Sequence, residues 1–141
     1  MSLYTTKVIA IGGRQGRVQS EDGILSLDLS MPKELGGTGA HTNPEQLFAA
    51  GYAACFGNAV IHITRNAQHK VTDDAITVTA TVSMEKNADG GFGLAVTLDV
   101  NIASVSLEEA EKIVEQAHKV CPYSNAVKGN VPVVLKTSVS G

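Results

Sequence analysis

The clearest pattern in the chain is a strict alternation. Ile76, Val78, Ala80, Val82 and Met84 alternate with Thr77, Thr79, Thr81 and Ser83, the period of a half-buried strand. Asp89-Gly90-Gly91 supplies a hairpin turn, and Leu94, Val96, Leu98, Val100 and Ile102 form the return strand. Earlier, Leu3 to Ile11 carries Tyr4, Thr6, Val8, Ile9 and Ile11 and suits a strand, which Gly12-Gly13-Arg14-Gln15-Gly16 breaks. Arg17 to Ser20 and Ile24 to Leu29 read as two more strands, with Asp22-Gly23 as the turn between them. Gly36, Gly37 and Gly39 mark a mobile loop from Ser30 to Thr42, and Val131 to Val139 reads as a final strand.

Two helices interrupt the strands. Asn43 is a good N-cap, Pro44 fits the first helical position and Gln46 completes a capping box, so a helix starts there and runs to about Asn66. From Leu47 to Gly57 it is apolar on every side, which predicts burial on every side. Ala49, Ala53 and Gly57 lie on one stripe of small residues, which lets another backbone approach closely and suggests a second subunit. Ser106 and Glu109 start the second helix with another capping box. Its apolar stripe is Ala110, Ile113, Val114 and Ala117, with Glu108, Glu111, Lys112, Glu115 and Lys119 on the wet side. Extending the stripe by four residues reaches Cys121, and Pro122 then interrupts the helix. Hairpins dominate this order, so the expected fold is α+β with antiparallel sheet.

Composition narrows the function classes. The 141 residues fit a single domain, residues 1–141, long enough to bury a core without disulfides or a structural metal. Net charge is −3 and aromatics are 4%, with no Trp, so neither a nucleic-acid binder nor a base-stacking platform is expected. Charged residues are only 18%, which leaves room for a surface covered by another chain. No basic region followed by an apolar core opens the chain, so no signal peptide is expected. The longest apolar run, Leu47 to Ile61, is about 15 residues against the roughly 20 of a membrane span. A soluble, cytoplasmic protein with no membrane partner follows as the expectation. His41, His62, His69 and His118 show no metal-ligand spacing, so no metal site is expected.

Few residues can carry chemistry. Cys55 lies mid-helix among apolar residues, the position of a small core hydrophobe or of a reactive thiol. Reactivity requires a nearby cation, because burial alone raises a thiol pKa. Arg14, among glycines that permit a tight turn, is either that cation or a solvated loop residue. Glu45 is either a partner of the helix dipole or part of the site. Ten helical residues span about 15 Å, so in an unbroken helix Glu45 would serve the Cys55 of a second, antiparallel subunit. Cys121, before the proline break, is a core thiol or a resolving one. Phe48, Tyr52 and Phe56 pack the core or line an apolar pocket. By themselves these residues fit a redox-active thiol pair, a non-catalytic small-molecule binding module with structural thiols, or a Cys-dependent hydrolase. The last would need a His beside Cys55, and His62 lies seven residues along the helix, about 10 Å away.

Gly12-Gly13-Arg14-Gln15-Gly16, the segment Asn43-Pro44-Glu45-Gln46-Leu47-Phe48-Ala49-Ala50-Gly51-Tyr52-Ala53-Ala54-Cys55-Phe56 and Val120-Cys121-Pro122-Tyr123-Ser124 together resemble the organic hydroperoxide resistance proteins of the Ohr/OsmC family. The resemblance spans the whole chain. It implies an OsmC-like fold, two long helices packed with antiparallel sheets in an intertwined homodimer with active sites at the interface. It implies that Cys55 is the peroxidatic thiolate, Cys121 the resolving Cys, Arg14 the residue that stabilises the thiolate and holds the peroxide, and Glu45 the residue that orients Arg14. It further implies reduction of organic and fatty-acid hydroperoxides to alcohols, no bound cofactor, and recycling by an external dithiol on lipoylated proteins.

Overall fold

A computed structural model describes residues 1–65 and 71–141. The expected helix end near Asn66, and His69, lie outside the described residues. The chain divides into two compact units, Met1–Leu47 and Phe48–Gly141.

The first unit is an antiparallel sheet of β1 (Val8–Ile11), β2 (Arg17–Ser20) and β3 (Ser26–Asp28), in that order. The strands are shorter than their apolar runs suggest. At the second turn Asp22 accepts from the Ser20 hydroxyl at 2.6 Å and from the Ile24 N–H at 3.0 Å, so side-chain bonds take up groups that a longer ladder would use. The stretch from Ser30 to Thr42 is pinned at both ends: Leu29 bridges Thr42, and the Ser30 hydroxyl accepts the His41 N–H at 2.8 Å. Lys33–Leu35 within it forms one 3-10 turn.

Helix α1 (Pro44–Thr64) starts where the cap predicts, with the Gln46 N–H donating to Asn43 Oδ1 at 2.9 Å. The expected capping box is only half made. The Gln46 side-chain oxygen accepts from the Thr42 hydroxyl at 2.7 Å.

The second unit holds β4 (Ile76–Lys86) and β5 (Phe92–Ala103), an antiparallel hairpin with Ile76 opposite Ile102 and Lys86 opposite Phe92. Helices α2 (Leu107–Val120) and α3 (Pro122–Val127) then lead to β6 (Val133–Ser140), which pairs with β5 in parallel. The expectation of antiparallel sheet holds for every pairing but that of β6, which makes β4-β5-β6 mixed. The helical crossover carries the chain back along the sheet, so β6 starts from the same end as β5. The fold is α+β, as the sequence implies.

Central strand β5 buries Val96, Leu98, Val100 and Ile102 almost completely. They join Tyr52, Phe56, Ala59 and Val60 of α1 and Ala110, Ile113, Val114 and Ala117 of α2 in one core. α2 matches its predicted faces, and the Ser106 hydroxyl caps it by accepting the Glu109 N–H at 3.1 Å. α1 departs from expectation. Within this chain it is not buried on every side: Ala50, Ala54, Asn58 and His62 form an exposed stripe. Ala50, Ala54 and Asn58 line, with Gly57, Ile61 and Val78, a shallow cleft of about 500 Å³. A single three-stranded sheet covers only one side of a helix. At 21 residues α1 also exceeds the apolar run counted in the sequence, and by length and composition it could cross a membrane. Its packing against β5 and α2 makes it the core helix of the second unit.

Leu98 is fully buried on the central strand. Leu98→Ala should cost about 2–5 kcal/mol. Urea unfolding at fixed chain concentration would show this as a lower midpoint with an unchanged slope.

Candidate active site

The second unit brings its two thiols together. Cys121 Sγ lies 3.7 Å from Cys55 Sγ, and both are free thiols. Cys55 is half-buried on α1, and Cys121 is fully buried between α2 and α3. Pro122 sets the position of Cys121. It has no N–H to continue α2, and it pushes the residue before it out of the helical region. Cys121 accordingly has φ −63° and ψ 123°, ending one helix and capping the next. The Cys121 N–H still donates to the Ala117 carbonyl at 2.9 Å, and its own carbonyl accepts from Asn125 N–H at 3.0 Å.

Burial pushes the Cys55 thiol above its ordinary pKa; a hydrogen bond from the Tyr123 backbone opposes this, and the neighbouring Cys121 adds to it. The second unit by itself thus favours the protonated thiol. Tyr123, on α3, also packs against α1 at Gly51. A side chain at Gly51 would place its Cβ 2.7 Å from the Tyr123 hydroxyl, so the ring would have to shift to admit one. Phe48 meets Tyr52 and Tyr123 edge-on, and Tyr52 and Tyr123 are tilted at 46°, with centroids 5.7 to 6.2 Å apart. Of the three aromatics expected to line a pocket, Tyr52 and Phe56 are fully buried and serve the core. Phe48 keeps exposed surface, and so does Tyr123, which sequence reasoning missed.

A buried polar chain lies beside the thiols. His118 Nδ1 is 2.8 Å from Ser124 Oγ, and Ser124 Oγ is 2.7 Å from the Tyr52 hydroxyl. Burial lowers the His118 pKa, with the charge of Lys128 acting in the same direction, so its ring is neutral at neutral pH. Burial also raises the Tyr52 pKa, partly offset by the Ser124 bond. The sequence reading weighed His118 only as a metal ligand. The available signal was its spacing: four residues after Val114, it lies beside the buried stripe of α2. Among the described residues no cluster of three or more His, Cys, Asp or Glu could hold a metal.

The first unit holds the other pair. Arg14 sits in a 3-10 turn, Gly13–Gln15, closed by the Gly16 N–H donating to the Gly13 carbonyl. Any side chain at Gly16 would overlap the Ile11 carbonyl, so the turn requires glycine there. Arg14 donates to Glu45 through Nη1 at 2.6 Å and Nη2 at 2.9 Å, a two-pronged ion pair. The Arg14 bond and charge outweigh burial and hold the Glu45 carboxyl below its usual range.

The OsmC-like protein family model matches residues 37–136. An organic hydroperoxide resistance protein-like 2 of Staphylococcus saprophyticus is 49% identical over 139 residues, covering 98% of this chain and 97% of that protein. The organic hydroperoxide resistance protein OhrB of Bacillus subtilis is 48% identical over 139 residues, with 96% and 98% covered. A crystal structure of an organic hydroperoxide resistance protein from Legionella pneumophila superposes with a TM-score of 0.91 at 50% identity, covering 100% of both chains.

The Arg14 pairing gives Glu45 a testable titration. Its folded pKa lies below its unfolded one, so the folded state binds fewer protons between the two. The associated stability is complete above the ordinary carboxylate range and is lost as pH falls through the depressed value. NMR titration of the Glu45 carboxyl should give a pKa below the usual range. Arg14→Gln should return it upward, and no movement would mean that the pair does not persist in solution.

Proposed function

We propose that this chain, which belongs to the OsmC-like family and its organic hydroperoxide resistance branch, is a thiol-dependent peroxidase that protects the cell by reducing organic hydroperoxides, fatty-acid ones included, to alcohols. The observation that carries this reading is the 3.7 Å contact between Cys55 and Cys121. Disulfide sulfurs lie about 2.05 Å apart. The pair can therefore close with a small local shift.

In this reading Cys55 reacts as a thiolate with the distal peroxide oxygen. The O–O bond breaks, the alcohol leaves after taking up a proton, and Cys55 becomes a sulfenic acid. Cys121 then attacks the Cys55 sulfur, the S–O bond breaks and water departs, leaving the Cys55–Cys121 disulfide. The hydroperoxide gains the two electrons that the thiols lose. A dithiol then reduces the disulfide, and dihydrolipoyl groups on lipoylated proteins are the proposed donor.

A cation must offset the burial that raises the Cys55 pKa. Arg14 is the proposed source, already oriented by Glu45, and its planar fork suits a thiolate and a peroxide oxygen together. We assign this role within a homodimer, with Glu45 serving the Cys55 of the other subunit. The exposed Ala50–Ala54 stripe of α1 supports such an assembly, because small residues admit a second backbone. Phe48 and Tyr123, apolar and partly exposed, are the proposed contacts for the alkyl part. Action in the cytoplasm fits the need for reduced thiols.

Reduced protein mixed with one equivalent of cumene hydroperoxide should lose both free thiols within seconds, and more slowly with hydrogen peroxide. Cys121→Ser should stop at a sulfenic acid that dimedone traps. Survival of both thiols would make them structural and leave the binding-module reading. Sedimentation should give a particle of two chains, and Ala54→Arg should shift it to one.

A further inference from the structure

We propose that His118 and Ser124 are positioning residues for the resolving thiol: with Tyr52 they form a strap across the Pro122 break that fixes Cys121 against Cys55 and sets how fast the disulfide closes. This inference rests on the peroxidase reading. Cys121 stands at a joint between two helices, and backbone bonds on either side leave the angle of that joint to side chains. His118 lies three residues before Cys121 on α2, and Ser124 three residues after it on α3. Their 2.8 Å bond therefore spans the joint. The 2.7 Å bond from Ser124 to Tyr52 ties the same point to α1, the helix that carries Cys55.

The strap is buried where it matters. Tyr52 is fully buried and Ser124 is 3% exposed, so water does not replace a lost bond without cost. With the His118 proton on Nε2, Nδ1 accepts from Ser124 and Ser124 accepts from Tyr52, an arrangement that satisfies both hydroxyls. None of the three needs to exchange a proton with a sulfur. In the step they govern, Cys55–SOH and Cys121–SH form the disulfide and water. The S–O and S–H bonds break, the S–S bond forms, and the thiol proton leaves on the departing oxygen. Such a step is sensitive to alignment, and displacement by about 1 Å can slow a reaction by about a hundredfold.

The test is a single turnover with cumene hydroperoxide, quenched at intervals by alkylation and read by mass spectrometry. It separates loss of the Cys55 thiol from appearance of the disulfide. In Ser124→Ala and His118→Ala the first rate should stay within about twofold of the parent, while the second falls about tenfold or more. His118→Asn places an amide where Nδ1 stood and should recover most of the second rate. His118 is only half-buried, so its variants test the strap even if Ser124→Ala does not fold. Disulfide closure at the parental rate in His118→Ala would overturn the inference, as would equal slowing of both steps or failure of His118→Asn to recover. If the parent's Cys55 does not react with the peroxide at all, the peroxidase reading falls first, and this inference with it.

Discussion

The contact between Cys55 and Cys121 is the constraint from which the rest of the second unit follows. Two sulfurs can meet only if the helix that carries one is packed beside the end of the helix that carries the other. That packing removes water, and removing water raises the pKa of the Cys55 thiol. On the proposed mechanism, the arrangement that would let a disulfide form also makes its first thiolate harder to obtain. The Tyr123 N–H opposes this only in part. On the proposed mechanism the thiolate needs positive charge from elsewhere, and that charge must itself be held in place. The two-pronged bond between Arg14 and Glu45 fixes a guanidinium in the first unit.

The mixed sheet serves the same end. β5 is the central strand, and one of its faces is wholly apolar. It gives α1 and α2 a common floor on which both are held by burial. The parallel return to β6 requires a crossover, and the crossover contains α2, the Pro122 break and α3. The joint that positions Cys121 therefore lies inside the connection that the sheet topology demands. Its stability is coupled to that of the core.

Most of this was legible in the sequence wherever one local pattern decided the outcome. The alternation at Ile76–Met84 gave β4 because a period of two permits only one buried face. Ser106 and the Ala110–Ala117 stripe gave α2 for similar reasons. What failed depended on distant partners. Nothing local in Val131–Val139 distinguishes a parallel from an antiparallel neighbour, so the direction of β6 was missed. The apolar surface of α1 indicated that it would be covered, but not that this chain covers only one side. The motifs single out Cys55, Cys121, Arg14 and Glu45 as candidates, whereas the contacts of His118, Tyr123 and Ser124 are not legible in them. Their roles arise from bonds across the Pro122 joint or onto α1, and helical periodicity does not report such bonds.

The uncovered surfaces remain as a physical problem for a single chain. Ile9 and Ile11 of β1 are 62% and 74% exposed, and the first unit buries little beyond Val18, Ser20, Leu29 and Ser30. A segment below about 50 residues with so small a core does not hold its shape on the strength of its own burial. The exposed stripe of α1 poses the same difficulty in the second unit. A second copy of the chain, as proposed above, would cover these surfaces by the non-directional effect that builds the core. On that proposal assembly does more than double the sites. It supplies the burial that keeps the Gly12–Gly16 turn in shape, and with it the orientation of the only arginine held by a carboxylate in α1 among the described residues. Stability and reactivity would then have one origin, because the surfaces that cost most to leave in water belong to the elements that carry the chemistry.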